Sequence, residues 1–292
     1  MSLPVVLILG GSGQLGSALR ARLGGDYLLE TPTSQELALT DPDAVREHIC
    51  LSKPAAVINA AAFTKVDDAE VQRELAFAVN GAAPAAMAEA CARVGSRFVH
   101  VSTDYVFDGH GLLPYIADAP TRPLNVYGAS KRAGEISVLF ANPKATVVRT
   151  AWVHSGAGIN FVGTAVRVLS AGRAMSVVDD QVGTPTRTST LVDAIQRVLD
   201  LPQVAGIHHV TDAGVASWYD VACCVLETLN VEGRAPHGAS VSPVDSSAFP
   251  RRAARPKVSI LDTYATRTAL RWTPPHWREG VIASTREWLR SL

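Results

Sequence analysis

The sequence predicts an α/β protein built on a doubly wound parallel sheet, with a smaller C-terminal lobe. Three observations carry this. Short apolar, β-branched runs alternate with helical runs over the first 150 residues. Those short runs are apolar on both faces, as strands of a parallel sheet covered by helices must be. The chain has 292 residues, 47% hydrophobic and 18% charged, enough to bury a large core without covalent staples.

The elements follow in order. Residues 5–9 are a continuous apolar run closed by glycines, the first strand. Residues 14–23 carry apolar side chains at helical spacing. A short strand at 27–30, a helix at 44–51 and a strand at 55–59 come next. Residues 71–94 form a long alanine-rich helix. Strand 98–102, helix 130–140 and strand 145–150 complete the alternation. Beyond residue 150 it loosens. Residues 161–171 and 218–229 read as helices and 207–210 as a strand. Residues 231–257, rich in Pro, Ser, Ala and Arg, have weak periodicity. The expected division is a main domain over 1–152, with 178–215 returning to it. Residues 153–292 then form most of the second lobe, with no clean linker between the two.

The 27 basic and 27 acidic side chains balance, so no general charge draws the chain to nucleic acid or to anionic membrane. Cys50, Cys91, Cys223 and Cys224 show no C-x-x-C spacing. They suit free thiols in a reducing compartment. A disulfide between the adjacent Cys223 and Cys224 would be strained. The apolar first ten residues are too short to span a bilayer and lack the basic start of a signal peptide. No other stretch approaches a span on this reading. The expectation is a cytoplasmic protein with neither a nucleic-acid nor a membrane partner.

The first strand runs into Gly10-Gly-Ser-Gly13-Gln-Leu-Gly16, and a helix follows. Glycines allow a tight turn and close backbone approach to a pyrophosphate, and the helix N-terminus offers free N–H groups. Strand, glycine turn and helix in this order predict a dinucleotide site of Rossmann type. Glu30 stands about 20 residues beyond the first glycine, where an acid binds the adenosine ribose hydroxyls and repels a 2′-phosphate. No arginine lies between Tyr27 and Asp41. This chemistry leans toward NADH or dual use.

Tyr127 and Lys131 are four apart at the start of a predicted helix, on one face. An ammonium beside a phenol favours the phenolate and lowers its pKa, which would tune Tyr127 to give a proton to a carbonyl oxygen. Thr103, in Val101-Ser-Thr-Asp-Tyr-Val-Phe-Asp-Gly109, falls at the carboxyl end of the fourth strand, where ligands of such sheets bind. Its hydroxyl can hold a substrate oxygen near Tyr127, and it can also cap a turn. Glycine turn, strand-end hydroxyl and tyrosine–lysine helix together predict carbonyl reduction or its reverse.

With these residues the chain resembles the extended short-chain dehydrogenase/reductase family, and within it the dTDP-4-dehydrorhamnose reductase branch. The matching runs are Gly10 to Gly16, Asn59 to Asp67, Val101 to Gly109, and Pro123 to Gly128 with Lys131. Later ones are Arg149 to Val153, Asp180 to Thr186, Trp218 to Asp220, and Arg255-Pro256 with Ser259. The resemblance implies NAD(P)H-dependent reduction of the 4-keto group of dTDP-4-dehydro-L-rhamnose. Tyr127 is then the proton donor, Lys131 its partner and a ribose ligand, and Thr103 the holder of the keto oxygen. Gly10, Ser12, Gly13, Gln14 and Leu15 would line the pyrophosphate beside Gly16. Ala60, Ala61 and Ala62 would pack on the cofactor. Thr64, Val66, Tyr105 and Trp152 would border the sugar, and Arg255 would meet the nucleotide diphosphate.

The resemblance favours NADPH, with NADH as the alternative, against the lean of Glu30. Where some members hold Mg²⁺ at a dimer contact through glutamates, this chain has Ala18 and Ser189, neither of which is a carboxylate ligand. A metal bridge is not expected, and the chain should be a monomer or weak homodimer. Ala38 and Ala254 stand where members often carry an aspartate and a second arginine. Two other readings stay open: a 4-ketoreductase for another nucleotide-linked deoxysugar, and a non-catalytic regulatory subunit of the same fold.

Overall fold

The computed structural model describes residues 3–111 and 114–291. Its centre is a six-stranded, all-parallel sheet. In spatial order it runs β2 (Leu28–Glu30), β1 (Val5–Leu9), β3 (Ala56–Asn59), β4 (Arg97–Thr103), β5 (Thr146–Thr150) and the edge strand Gly206–His209. The chain leaves β1 toward β2 on one side and reaches β3 on the other. That reversal makes the switch point at which sheets of this kind bind ligands. The expected doubly wound sheet is therefore present.

Two apolar layers sandwich the sheet. Val6, Ile8, Ile58, Val99 and Val148 face α1 (Gln14–Leu23) and the helix Thr188–Asp200. Leu7, Leu9, Val57, Phe98 and Val147 face α2 (Pro42–Ser52) and the helix Ala83–Val94. The burial pattern of β3, four buried residues in a row, is what its apolar Ala56, Val57 and Ile58 require, and the buried Asn59 that ends it is hydrogen bonded. The helix Thr188–Asp200 packs on one face of this sheet and Gly206–His209 pairs with β5 at its edge.

The second lobe packs the helices Phe161–Ser170, Trp218–Val231 and Trp277–Ser291 around Val166, Leu169, Val225, Leu229 and Val281. A parallel pair, Ala174–Val178 with Ser240–Val244, flanks them. The weakly periodic stretch thus contains a strand that exposed, proline-bearing Ser-Val-Ser-Pro-Val did not announce.

One sequence expectation meets an exception. The helical run Arg73–Val94 is long and apolar enough to cross a membrane by length and composition, and 56% of its most apolar window is buried in the fold. It packs on α2 and on the helix Val126–Ala141 as a core element. Its middle, Ala78–Ala82, widens to π geometry. Such bulges recur where a helix re-aims side chains at a site.

Three histidines are fully or almost fully buried: His100, His154 and His209. Burial pulls their imidazoles down, His154 to about 3, His209 to about 4, and His100 well below its usual value. In the unfolded chain they protonate near ~6.5, so acidification below that point favours unfolding. Asp104 and Asp212, which burial raises to about 6, act in the opposite sense between about 4 and 6. Three buried imidazoles against two carboxylates leave a net loss of stability as the pH falls from 6 to 5. The melting temperature is expected to fall between pH 7 and pH 5. A flat or rising value in thermal melts would contradict this accounting.

Candidate active site

Gly10, at the end of β1, has φ +81, and a Cβ there would lie 2.7 Å from the backbone nitrogen of Ala61. Glycine is what lets the loops after β1 and β3 touch. The turn closes with the Gly13 N–H donating to the Gly10 carbonyl at 3.0 Å. A Cβ on Gly16 would overlap that same carbonyl oxygen. The third glycine therefore seats α1 against the turn and lies behind the cavity rather than on its wall.

Above the turn is a cavity of about 590 Å³. Its walls bring together Gly10, Ser12, Gly13, Gln14 and Leu15 from the turn; Ala60, Ala61, Ala62, Thr64 and Val66 from the loop after β3; and Thr103, Tyr105, Tyr127, Lys131 and Trp152. Of the residues singled out in the sequence, Gly16, Glu30 and Arg255 are not among them. Glu30 Oε1 lies 2.8 Å from the Nε2 of His48. Arg255 is bonded by its Nη2 to Asp67 at 2.8 Å and by its Nη1 to the Ala253 carbonyl at 2.7 Å. It belongs to an adjoining cavity of about 570 Å³ that shares Tyr105 and Trp218 with the first. Phe161, Val178, Gln181, Phe249 and Arg251 also line that second space.

The helix Val126–Ala141 starts earlier than its periodicity suggested. Asn125 caps it by accepting the Gly128 N–H at 2.8 Å, which places Tyr127 in the first turn. The Tyr127 hydroxyl lies beside Thr103, and its ring meets Tyr105 edge-on at 5.7 Å between centroids. Thr103 does cap a turn, accepting the Tyr105 N–H at 3.2 Å, and it also donates to the Asp104 carboxylate at 3.0 Å. The turn-capping reading of this residue is thus present in the fold.

The expected lowering of the Tyr127 pKa does not occur. Burial pushes the phenol up to about 12; the neighbouring Thr103 hydroxyl pulls it back and the Asp104 charge adds to the rise. Lys131 instead donates to the Val101 carbonyl at 2.6 Å. Burial brings its ammonium down to about 8, against the pull of the Glu135 charge.

Sequence reasoning passed over two asparagines that hold this site. Asn80, on the π-widened turn, accepts the Phe63 N–H at 2.8 Å and donates to the Phe63 carbonyl and the Ser130 hydroxyl at 3.1 and 2.9 Å. It ties the loop after β3 to the tyrosine–lysine helix. Asn59 accepts the Ala61 N–H at 3.1 Å and bonds His100 at 3.0 Å. The signal for Asn80 was one amide inside an apolar helical run. Trp152, at the end of β5, has φ 49 and stacks on Trp218 at 3.7 Å.

The arrangement can bind a dinucleotide along the turn and present a protonated phenol to a ligand lying between Thr103 and Trp152. Among the described residues no group of three or more His, Cys, Asp or Glu side chains converges as a metal would need.

Comparison with known proteins adds to this geometry. The RmlD substrate binding domain family matches residues 4–289. A dTDP-4-dehydrorhamnose reductase of Streptomyces griseus is 40% identical over 96% of this chain and 93% of its own length. A probable dTDP-4,6-dihydroxy-2-methyloxan-3-one 4-ketoreductase of Streptomyces antibioticus is 40% identical over 98% and 92%. The dTDP-4-dehydrorhamnose reductase of Bacillus anthracis, solved in complex with NADP, superposes with a TM-score of 0.90 at 33% identity. That alignment covers 99% of this chain and all of the other.

Proposed function

The chain belongs to the RmlD substrate-binding-domain family of oxidoreductases, and from that premise we propose that it reduces the 4-keto group of dTDP-4-dehydro-L-rhamnose to give dTDP-L-rhamnose. The observation that carries the proposal is one cavity holding the glycine turn at one end and Thr103, Tyr127 and Lys131 at the other.

A reduced nicotinamide dinucleotide, when bound, supplies the hydride. The chain's own residues do the rest. Glycine N–H groups and the start of α1 receive the pyrophosphate. Thr103 orients the keto oxygen against Tyr127. A phenol held near 12 stays protonated at neutral pH, so it is a ready proton donor to an oxygen that becomes alkoxide-like, which is far more basic. Buried Lys131, fixed by Val101, provides positive charge beneath the site and a donor for a ribose hydroxyl.

Residues 1–152 carry the dinucleotide and residues 153–292 most of the sugar-nucleotide contacts in this proposal. The adjoining cavity, with Phe161, Phe249, Arg251 and the Asp67-held Arg255, suits a base and a diphosphate. Ala18 and Ser189 offer no carboxylate for a metal-bridged dimer, so a monomer or weak homodimer is part of this proposal.

The test mixes purified protein, NADPH or NADH, and the keto-sugar nucleotide, and follows absorbance of the reduced cofactor. Oxidation of the cofactor with sugar-dependent rate is expected. No oxidation with either cofactor would refute the reading. The 40% identity to a ketoreductase of a different dTDP-sugar supports a second reading in which the sugar differs and the chemistry is unchanged. Competing sugar nucleotides in one assay separate the two.

A further inference from the structure

Gln14 is the first residue of α1, directly after the glycine turn, and lies half-buried on the wall of the first cavity. Its side-chain amide is committed to a distant part of the chain. Oε1 accepts from the Ser155 hydroxyl and from the Asn160 amide, each at 2.9 Å, and Nε2 donates to the Ile159 carbonyl at 3.2 Å. An amide oxygen has two lone-pair sites, so Oε1 has none to spare. Three bonds thus join the turn after β1 to a segment that follows β5.

That segment leads straight into the helix Phe161–Ser170. Asn160 caps the helix, accepting the Gly163 N–H at 2.9 Å. Phe161 and Thr164, from its first turn, line the second cavity, where the proposed function seats the nucleotide part of the substrate. Phe161 meets Trp218 edge-on at 4.9 Å between centroids, and Trp218 in turn stacks on Trp152. On the far side the Trp288 indole anchors the segment by donating to the Ser155 carbonyl at 3.1 Å. One side chain, Asn160, therefore holds both Gln14 and the start of the helix that walls the nucleotide space.

We infer that Gln14, although it sits in the dinucleotide turn, is a positioning residue for the substrate nucleotide: it fixes the helix start that carries Phe161 and Thr164. The inference rests on the reading of the two cavities as a dinucleotide site and a nucleotide-sugar site. Without the three bonds, the helix start must be ordered by the ligand itself, and that ordering comes out of ligand affinity. The dinucleotide keeps the backbone N–H groups of the turn, which do not depend on this side chain.

Gln14→Met keeps the length of the side chain and removes the bonds it makes. Calorimetric titrations with dTDP and, separately, with NADPH are the measurement. The variant is expected to bind dTDP about fivefold more weakly or worse, the loss of a net hydrogen bond or more, with NADPH affected less than dTDP. In turnover, KM for the keto-sugar nucleotide should rise by a larger factor than kcat falls. Ser155→Ala breaks one of the three bonds and should weaken dTDP in the same direction by a smaller factor. Gln14 and Ser155 are only half-buried, so both variants should keep the wild-type melting temperature. A dTDP affinity in Gln14→Met closer to wild type than about fivefold, or a loss for NADPH as large as that for dTDP, would overturn the inference and leave the two sites standing. Wild-type protein that bound neither dTDP nor NADPH would overturn the functional reading with it.

Discussion

Tyr127→Phe is expected to lower kcat for keto-sugar reduction by about a thousandfold, in the range for loss of a positioned general acid. The ring stays, so its edge contact with Tyr105 and the shape of the cavity persist. What goes is the hydroxyl beside Thr103, which supplies the proton to the keto oxygen in the proposed pose. Thr103 spends its own proton on Asp104, so it cannot substitute without breaking that bond. Cofactor affinity should change little. Stopped-flow turnover and a binding titration on the same preparation check both halves. Turnover within tenfold of wild type would remove Tyr127 from the role, and lost cofactor binding would show that it acts through structure.

Arg149→Met is expected to destabilise the fold by about 3–5 kcal/mol, or about 10 °C in melting temperature for a chain of this size. Arg149 and Glu135 are each 3% exposed and bonded twice, Nη2 to Oε2 at 2.7 Å and Nε to Oε1 at 2.9 Å. The guanidinium also donates to the Ala117 carbonyl and lies over the Phe107 ring. Methionine leaves the Glu135 carboxylate buried without its cation, and that uncompensated charge is the main cost. The paired change Arg149→Met with Glu135→Leu should recover much of the loss, since an apolar pair of similar volume has no charge to desolvate. Additive losses in the double variant would show that the pair is not coupled. Glu135 stands one helical turn beyond Lys131 and supports its ammonium, so the double variant should also lower the lysine's pKa.

The two effects come from parts of the site that differed in legibility. The turn from Gly10 to Gly16 and the Tyr127–Lys131 pair could be read directly, because each depends on local spacing: a strand end, a helix start, residues four apart. Their meeting around one cavity follows from the topology that the strand–helix alternation implies. Contacts made across the fold were not legible. Glu30 reads as a ribose ligand until α2 places His48 against it. Asn80 matters only because the helix widens there and turns the amide toward Phe63 and Ser130. The pKa of Tyr127 went the other way for the same kind of reason. Spacing puts an ammonium on its helix face, while burial and the pull of Val101 on Lys131 are properties of the packed whole.

At Trp152 the demands of the backbone and of the reaction diverge. A non-glycine residue in the left-handed region carries strain on the order of 1 kcal/mol. Glycine would relax it but would also delete an indole that walls the cavity. Selection for heat resistance alone would therefore erode this position. A more thermostable descendant that still turned over its sugar would have to keep the tryptophan and draw its added robustness from elsewhere in the chain.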